Sequence, residues 1–205
     1  MLEKYEDLNE MQLDVLKEIG NIGSGNASTA LSSMIGKEIE IRLPTVKILG
    51  FQEAIDNNGS PEDLIAAILI RLKGSIKGMI LLLINKEFAE VILNIFFGKS
   101  NIDLLKLDES DISALSEIGN IMGSSYMSAI ATLTGLEIGV EAPSFTADML
   151  GAVMSVPVIE FGEVGDKLLC IDKEIMIDGV KLESNMMLIP TVESLSVLFG
   201  KLGVA

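Results

Sequence analysis

Two Glu-x-x-Asn pairs are the residues of this sequence whose types and spacing are best suited to chemistry. They are Glu18 with Asn21 and Glu117 with Asn120. The 205-residue chain contains no histidine, which excludes Ser-His-Asp and Cys-His nucleophile systems and every imidazole metal site. Any chemistry must therefore depend on carboxylates, amides, hydroxyls or groups that a partner supplies.

The two pairs belong to a long internal repeat. Residues 16–22 recur almost unchanged as residues 115–121. Between positions 14 and 44, 11 of 31 residues are identical to their partners in the second copy. A repeat of about 100 residues is too long for a solenoid unit. We therefore predict an α+β protein in which two fused halves, about 9–98 and 108–203, are related by a pseudo-twofold axis and form one intertwined domain.

Each half is predicted to contain a long motif-bearing helix, antiparallel strands that include a hairpin, and a following helix. The first half is predicted to begin with a helix from about Met11 to Met34, capped by Asn9 or a neighbour, and a strand over 39–49. A hairpin of Ile65–Leu72 and Ile76–Ile84, turning at 73–75, and a helix over Lys86–Phe97 follow. The second half is predicted to begin with a helix from about Ser110 to Thr134, capped by Asp108, and a strand over Ile138–Val140. A hairpin of Lys167–Ile177 and Lys181–Ile189, turning at Asp178-Gly179, and a helix over 191–202 follow. Gly36 and Gly135 occupy positions where helices end in a left-handed residue, and residues 56–63 are predicted to form a loop.

The motif residues lie on one face of each predicted long helix. At 100° per residue, four positions fall within roughly 60° of one another on each helix. They are Asp14, Glu18, Asn21 and Gly25 in the first copy and Ser113, Glu117, Asn120 and Ser124 in the second. The opposite face of each helix is an apolar stripe. Because a glycine inside a helix costs about 1 kcal/mol relative to alanine, the glycines at 20, 23 and 25 predict that something packs very close to the first helix.

Spacing alone leaves the role of the two pairs open. In most helices a Glu and an Asn three residues apart are simply neighbours on a polar face. Duplication also copies inert surface residues as readily as functional ones. On spacing alone, the protein carries two polar patches related by pseudo-twofold symmetry.

The composition restricts the classes of protein and partner. A net charge of −15 repels nucleic acid and anionic lipid at long range. The longest apolar stretch is Gly78–Ile84, and Arg71, Lys73 and Lys77 interrupt the sequence before it, so no membrane-spanning segment is expected. The first residues lack the basic-then-apolar order of a secretory signal, and Cys170 is the one cysteine of the chain. These features predict a cytoplasmic protein that neither binds nucleic acid nor inserts into a membrane.

The spacing around each pair resembles the signature of the chemotaxis phosphatase family that includes CheC, FliY and CheX. That signature is (Asp/Ser)-x3-Glu-x2-Asn-x22-Pro. The sequence satisfies it twice, with Asp14, Glu18, Asn21 and Pro44 and again with Ser113, Glu117, Asn120 and Pro143. The resemblance covers essentially the whole chain and is strongest to the CheC members, which contain two such halves. FliY members carry an added flagellar-switch domain, and CheX members usually keep one motif and dimerise.

The resemblance implies that the protein hydrolyses the aspartyl-phosphate of a CheY-type response regulator. Asn21 and Asn120 would enter the receiver's active site and orient the attacking water, because an amide both donates and accepts hydrogen bonds. Glu18 and Glu117 would pair with the receiver's active-site lysine. The phosphorylated receiver itself carries Mg²⁺, so no metal or cofactor is expected on this chain.

The resemblance also assigns the other motif positions and leaves two alternatives. The docking surface would include Asp14 and Ser113, and the backbone would be shaped by Pro44 and Pro143. Separately from the resemblance, we expect the small residues Gly25 and Ser124 to keep the helix face low enough for close approach. One alternative is a non-catalytic adaptor that binds and regulates the receptor deamidase CheD, a second expected partner. The other is a component of the flagellar switch, which the lack of the added domain disfavours.

Overall fold

The computed structural model describes residues 4–160 and 167–204, without the side chains of residues 43–45, 167, 172, 173 and 183. The helices in chain order are α1 (Glu10–Ile35), α2 (Phe51–Asp56), α3 (Lys86–Phe97), α4 (Glu109–Thr134), α5 (Leu150–Glu160) and α6 (Val192–Leu202). The strands are β1 (Ile39–Gly50), β2 (Leu64–Gly74), β3 (Gly78–Ile84), β4 (Ile138–Val140), β5 (Ser144–Met149), β6 (Lys167–Ile177) and β7 (Val180–Pro190).

The described strands form one sheet in the order β1-β6-β7-β3-β2-β4, and β5 also pairs with β2. Every pairing is antiparallel. The first strand of each repeat crosses to the hairpin of the other repeat, since β1 pairs with β6 whereas β4 and β5 pair with β2. The predicted α+β class is confirmed.

The sheet is covered on both faces, as the central strand β3 shows. All of its residues are buried. Ile80 and Leu82 belong to a core cluster that includes residues of α1, α3, α4 and α6. Met79, Leu81 and Leu83 belong to a smaller cluster with residues of α2 and α5. Because successive strand side chains point to opposite faces, the two motif helices share one face of the sheet with α3 and α6.

The ends of the two long helices lie within one residue of the predicted bounds. Their N-caps are Asn9 and Asp108, whose side chains each accept a hydrogen bond of 3.0 Å from the backbone N–H three residues on. Gly36 and Gly135 terminate the helices in the left-handed conformation, with φ of 72° and 68°. An alanine at either position would be strained. The predictions of caps and terminators are confirmed.

Three elements are absent from the sequence prediction: α2, β5 and α5. The α2 helix has only six residues, which is too short to show a helical period. The α5 helix contains Pro157, a residue type that argues against a helix interior. Its Leu150, Val153 and Met154 are nevertheless buried against the sheet, and this tertiary contact outweighs the local preference.

One of the two predicted hairpin turns is confirmed, and the other lies further along the chain than predicted. The turn between β6 and β7 uses Asp178 and Gly179 as predicted, with φ of 48° and 79°. These positive values are those of a tight primed turn. The first hairpin turns at 75–77 rather than 73–75, because β2 continues through Gly74 and pairs there with β4.

Candidate active site

Both Glu–Asn pairs project from the sheet-distant side of their helices. On α1, Glu18 and Asn21 are exposed, whereas the intervening Ile19 is 2% exposed and packs into the core. On α4, Glu117 is exposed and Asn120 is half-buried. Neither amide is sealed from an incoming protein.

The two motif helices cross in contact. A Cβ added at Gly23 of α1 would lie 2.9 Å from Cγ of Tyr126 on α4, closer than such carbon atoms approach, and 3.1 Å from its Cα, which is a very tight contact. The hydroxyls of Ser24 and Tyr126 lie 2.7 Å apart at the same crossing. The phenol is fully buried, and this burial raises the pKa of Tyr126. The prediction that something packs very close to the first helix is correct at Gly23.

The two helices are antiparallel, because Met34 near the end of α1 lines the same groove as Ser113 near the start of α4. Tyr126 lies level with Gly23. At 1.5 Å per residue, Asn21 and Asn120 are therefore about 12 Å apart along the helix axes. The two pairs are thus separate sites on one helical layer, each near the N-terminal half of its own helix.

The glycines of the motif helices have different surroundings. A Cβ at Gly119 of α4 would meet the Ile68 side chain at 2.7 Å, and one at Gly123 would meet Ile70 at 2.8 Å. These two glycines let α4 approach the sheet closely. A Cβ at Gly25 of α1 would meet nothing within 4 Å. Close packing within the chain therefore does not explain Gly25, and that part of the prediction is wrong.

The two pairs differ in their hydrogen bonds. Asn120 Nδ2 donates to Glu117 Oε2 at 3.5 Å, which is long for a hydrogen bond. The hydroxyl of Ser124 donates to the backbone oxygen of Asn120. Within the part of the chain that the structure describes, no residue hydrogen-bonds the side chains of Glu18 or Asn21. Both pairs therefore keep donor and acceptor capacity for a partner.

The first motif positions also differ between the copies. Asp14 forms an exposed salt bridge of 2.8 Å with Lys17. Ser113 is exposed and, together with Glu117, lines an open groove of about 550 Å³ whose other walls include Phe96 and Phe97. A larger groove of about 690 Å³ between α3 and the β6–β7 turn contains no motif residue.

The two motif prolines lie where strand pairing is interrupted. The backbone of Pro44 is in β1, where the register with β6 shifts between Arg42 and Thr45. The side chain of Pro44 lies outside the described residues. Pro143 is half-buried and separates β4 from β5. Such positions suit proline, which has no N–H to donate to a ladder.

The described residues contain no group of three or more His, Cys, Asp or Glu side chains that could hold a metal ion. No described helix is long and apolar enough to cross a membrane. Cys170 is buried in β6, as expected.

Comparisons with known proteins show the family of this chain. The model of the CheC-like family matches residues 11–48 and 112–146, the segments that carry the two pairs. The CheY-P phosphatase CheC of Bacillus subtilis is 32% identical over 203 residues, covering 97% of each chain. The chain belongs to the CheC-like family. It is thus a chemotaxis protein phosphatase, a hydrolase.

Two further comparisons of this CheC-like protein are with proteins named FliY. The flagellar motor switch phosphatase FliY of Bacillus subtilis is 28% identical over 141 residues, which cover 68% of this chain but 36% of FliY. The crystal structure of Thermotoga maritima FliY superposes with a TM-score of 0.76 at 23% identity, covering 96% of this chain and 98% of that one. The latter comparison shows a shared fold.

Sequence reasoning missed the groove beside Glu117 in this CheC-like protein. The adjacent Phe96 and Phe97 at the end of α3 were a usable signal, because neighbouring helix residues point about 100° apart and two large rings at a helix end are hard to bury together. Phe97 is indeed 46% exposed.

Proposed function

We propose that this CheC-like protein hydrolyses the aspartyl-phosphate of a CheY-type response regulator. The observation that carries the proposal is that both Glu–Asn pairs lie accessible on the two long helices, in the segments matched by the family. The Bacillus subtilis relative with 97% coverage is a CheY-P phosphatase. Because response regulators of this type act in the cytoplasm, we expect this protein to act there as well.

For this reaction the CheC-like protein would mainly have to position the attacking water, because the receiver would already supply the positive charges. The receiver would supply its own Mg²⁺ and lysine around the phosphoryl group, which neutralise charge during transfer. The water oxygen bonds to phosphorus while the bond between phosphorus and the acyl oxygen breaks. The products are inorganic phosphate, which takes up the protons of the water, and the free aspartate carboxylate.

The Asn21 and Asn120 amides are suited to orient this water. The side-chain oxygen accepts a hydrogen bond from the water, and the NH₂ group can donate to a phosphoryl oxygen or the receiver. Placing the water in line with the scissile bond lowers the entropic part of the barrier. An amide is neutral near pH 7, so it approaches the anionic phosphoryl group without repulsion.

The glutamates would fix the register of docking by pairing with the receiver's lysine. Glu18 is exposed and has no described hydrogen-bond partner, so it is available for a cation. Among the described residues, the Glu117 side chain accepts only the long bond from Asn120. Pairing of Glu117 with a lysine would therefore release the Asn120 amide for the water at little cost.

The test is a phosphate-release assay with the organism's own CheY, Mg²⁺ and a small-molecule phosphodonor. The double variant Asn21→Ala/Asn120→Ala should lose accelerated release while it still binds the phosphorylated receiver in part. Each single variant should retain activity if the two sites work independently. Asn26→Ala is the matched control, because Asn26 is an exposed α1 residue outside the motif. A double variant with the full rate would rule out the water-positioning role.

A further inference from the structure

The groove beside the second Glu–Asn pair is built by three helices. The end of α1 contributes Met34, the end of α3 contributes Phe96 and Phe97, and the start of α4 contributes Ser113 and Glu117 among others. Its volume is about 550 Å³. Two of its lining residues, Ser113 and Glu117, are motif residues, so the groove adjoins the second Glu–Asn pair.

The aromatic wall of the groove leaves apolar surface in water. Phe97 is 46% exposed, and its ring centroid lies 6.0 Å from that of Phe96. Covering such a ring is favourable by about 25 cal/mol per Å² of apolar area. Met34 on the opposite side is half-buried and flexible, a side chain that adapts to an inserted group.

The wall is also held in place relative to the motif helix. Lys99 follows α3 and pairs with Asp108 at 2.7 Å and with Asp111 at 2.6 Å, both at the start of α4. The same lysine Nζ lies 5.6 Å from the centroid of the Phe97 ring. The end of α3 is thereby fastened to the first turn of α4, two turns before Glu117.

The first Glu–Asn pair has the equivalent framework. The end of α6 is fastened to the start of α1 by a 3.0 Å hydrogen bond from Gln12 Nε2 to the backbone oxygen of Val204. Gln12 occupies the same third helical position in α1 as Asp111 does in α4. Gly98 ends α3 and Gly203 ends α6, both in the left-handed conformation, so these two glycines are equivalent positions of the two halves.

The residues that precede these glycines differ between the halves. Phe97 corresponds to Leu202, and Phe96 corresponds to Lys201. Leu202 is half-buried against the core, and Lys201 is exposed. The first pair therefore has neither ring beside it. The aromatic groove belongs to the second pair alone among the described residues.

We infer that this groove is a docking subsite that accepts an apolar side chain of the phosphorylated receiver and serves only the Glu117–Asn120 site. The inference rests on the proposed function. Its occupant is the receiver because the groove is continuous with the motif face through Ser113 and Glu117. The rim is acidic, with Glu109 and Glu117, which suits an apolar receiver side chain flanked by a basic one.

Phe97→Ala tests the inference when it is placed in two backgrounds. Asn21→Ala leaves only the second site, and Asn120→Ala leaves only the first. In the Asn21→Ala background, Phe97→Ala should raise the KM for phosphorylated receiver about tenfold with kcat nearly unchanged, which is typical of the loss of an apolar anchor. In the Asn120→Ala background it should change neither constant.

Two controls separate docking from folding. Phe97→Leu keeps an apolar side chain and should recover most of the KM. Leu105→Ala removes another exposed apolar residue, 66% exposed and outside the groove, and should have no effect. An equal effect of Phe97→Ala in both backgrounds, or no effect where only the second site is active, would overturn the inference. If the unsubstituted protein did not accelerate phosphate release from the phosphorylated receiver, the proposed function would fail instead, so the two failures are distinguishable.

Discussion

The Ser24 and Tyr126 hydroxyls meet 2.7 Å apart where the two motif helices cross, and both residues are buried. This contact joins the helix that carries Asn21 to the helix that carries Asn120. Gly23 makes the approach possible, because any side chain there would collide with the tyrosine. The two sites are therefore carried by one packed pair of helices and not by independent units.

Gly23→Ala should destabilise the protein by about 1–3 kcal/mol, the usual range for overpacking a close contact. The added carbon would lie 3.1 Å from the Tyr126 Cα, so a side-chain rotation cannot relieve the clash. Urea unfolding followed by circular dichroism measures the change. An unchanged midpoint would mean that the helices can separate without loss, which contradicts a tight crossing.

Gly25→Ala should have the opposite effect on stability, a gain of up to about 1 kcal/mol from helix propensity, because the new methyl meets no atom within 4 Å. It should nevertheless raise the KM of the first site, since Gly25 lies one turn beyond Asn21 on the proposed docking face. The KM is measured in the Asn120→Ala background. The same change in the Asn21→Ala background is the control and should leave the KM as it was. A stabilised variant with normal KM in both backgrounds would show that Gly25 has no docking role.

Glu18→Gln/Glu117→Gln should raise the KM for the phosphorylated receiver several-fold. The KM of this variant should also depend less on salt concentration than that of the unsubstituted protein. Glutamine keeps the shape of the side chain but removes the charge that would pair with a lysine. Steady-state phosphate release at low and high ionic strength provides both measurements. Glu38→Gln/Glu137→Gln is the matched control, because these exposed glutamates also occupy equivalent positions of the repeat outside the motif. If the control shows the same shift, the effect comes from net charge and not from pairing.

Lys99→Met should lower the Tm near neutral pH by removing the cation that pairs with the buried Asp111 carboxylate, whose side chain is 4% exposed. The Lys99 ammonium, with two backbone N–H groups, holds the pKa of Asp108 below its ordinary 3.8. Bonds to Asp108 and Asp111 raise the pKa of Lys99 above its ordinary 10.5. The stabilisation by these ion pairs is therefore complete between pH 3.8 and pH 10.5. It is lost as the pH falls through the lowered pKa of Asp108 or rises through the raised pKa of Lys99.

Thermal unfolding of the Lys99→Met variant across this pH range should show a constant Tm difference in the middle and a smaller one at both extremes. Lys106→Met is the comparison, because Lys106 pairs with the more exposed Asp103 and should change the Tm little. A Tm difference that does not depend on pH would point to lost packing of the lysine stem instead.

Local chemistry made much of this molecule predictable. Asn9, Asp108 and the two terminating glycines set the ends of the long helices through bonds within a few residues, so their bounds were predicted within one residue. The Asp178-Gly179 turn was predicted for the same reason. By contrast, α5 contradicts its own local preference at Pro157 and forms because its apolar residues are buried against the sheet.

The sequence by itself determined the repeat, the two Glu–Asn pairs and the face of each helix on which they lie, because helical period and capping depend on neighbouring residues. Only the tertiary structure decided that each repeat pairs its first strand with the other repeat's hairpin, that Gly23 meets Tyr126, and that Phe97 stands beside Glu117. Those relationships join residues far apart in the chain, and the packing of the whole sheet and its helices selects them.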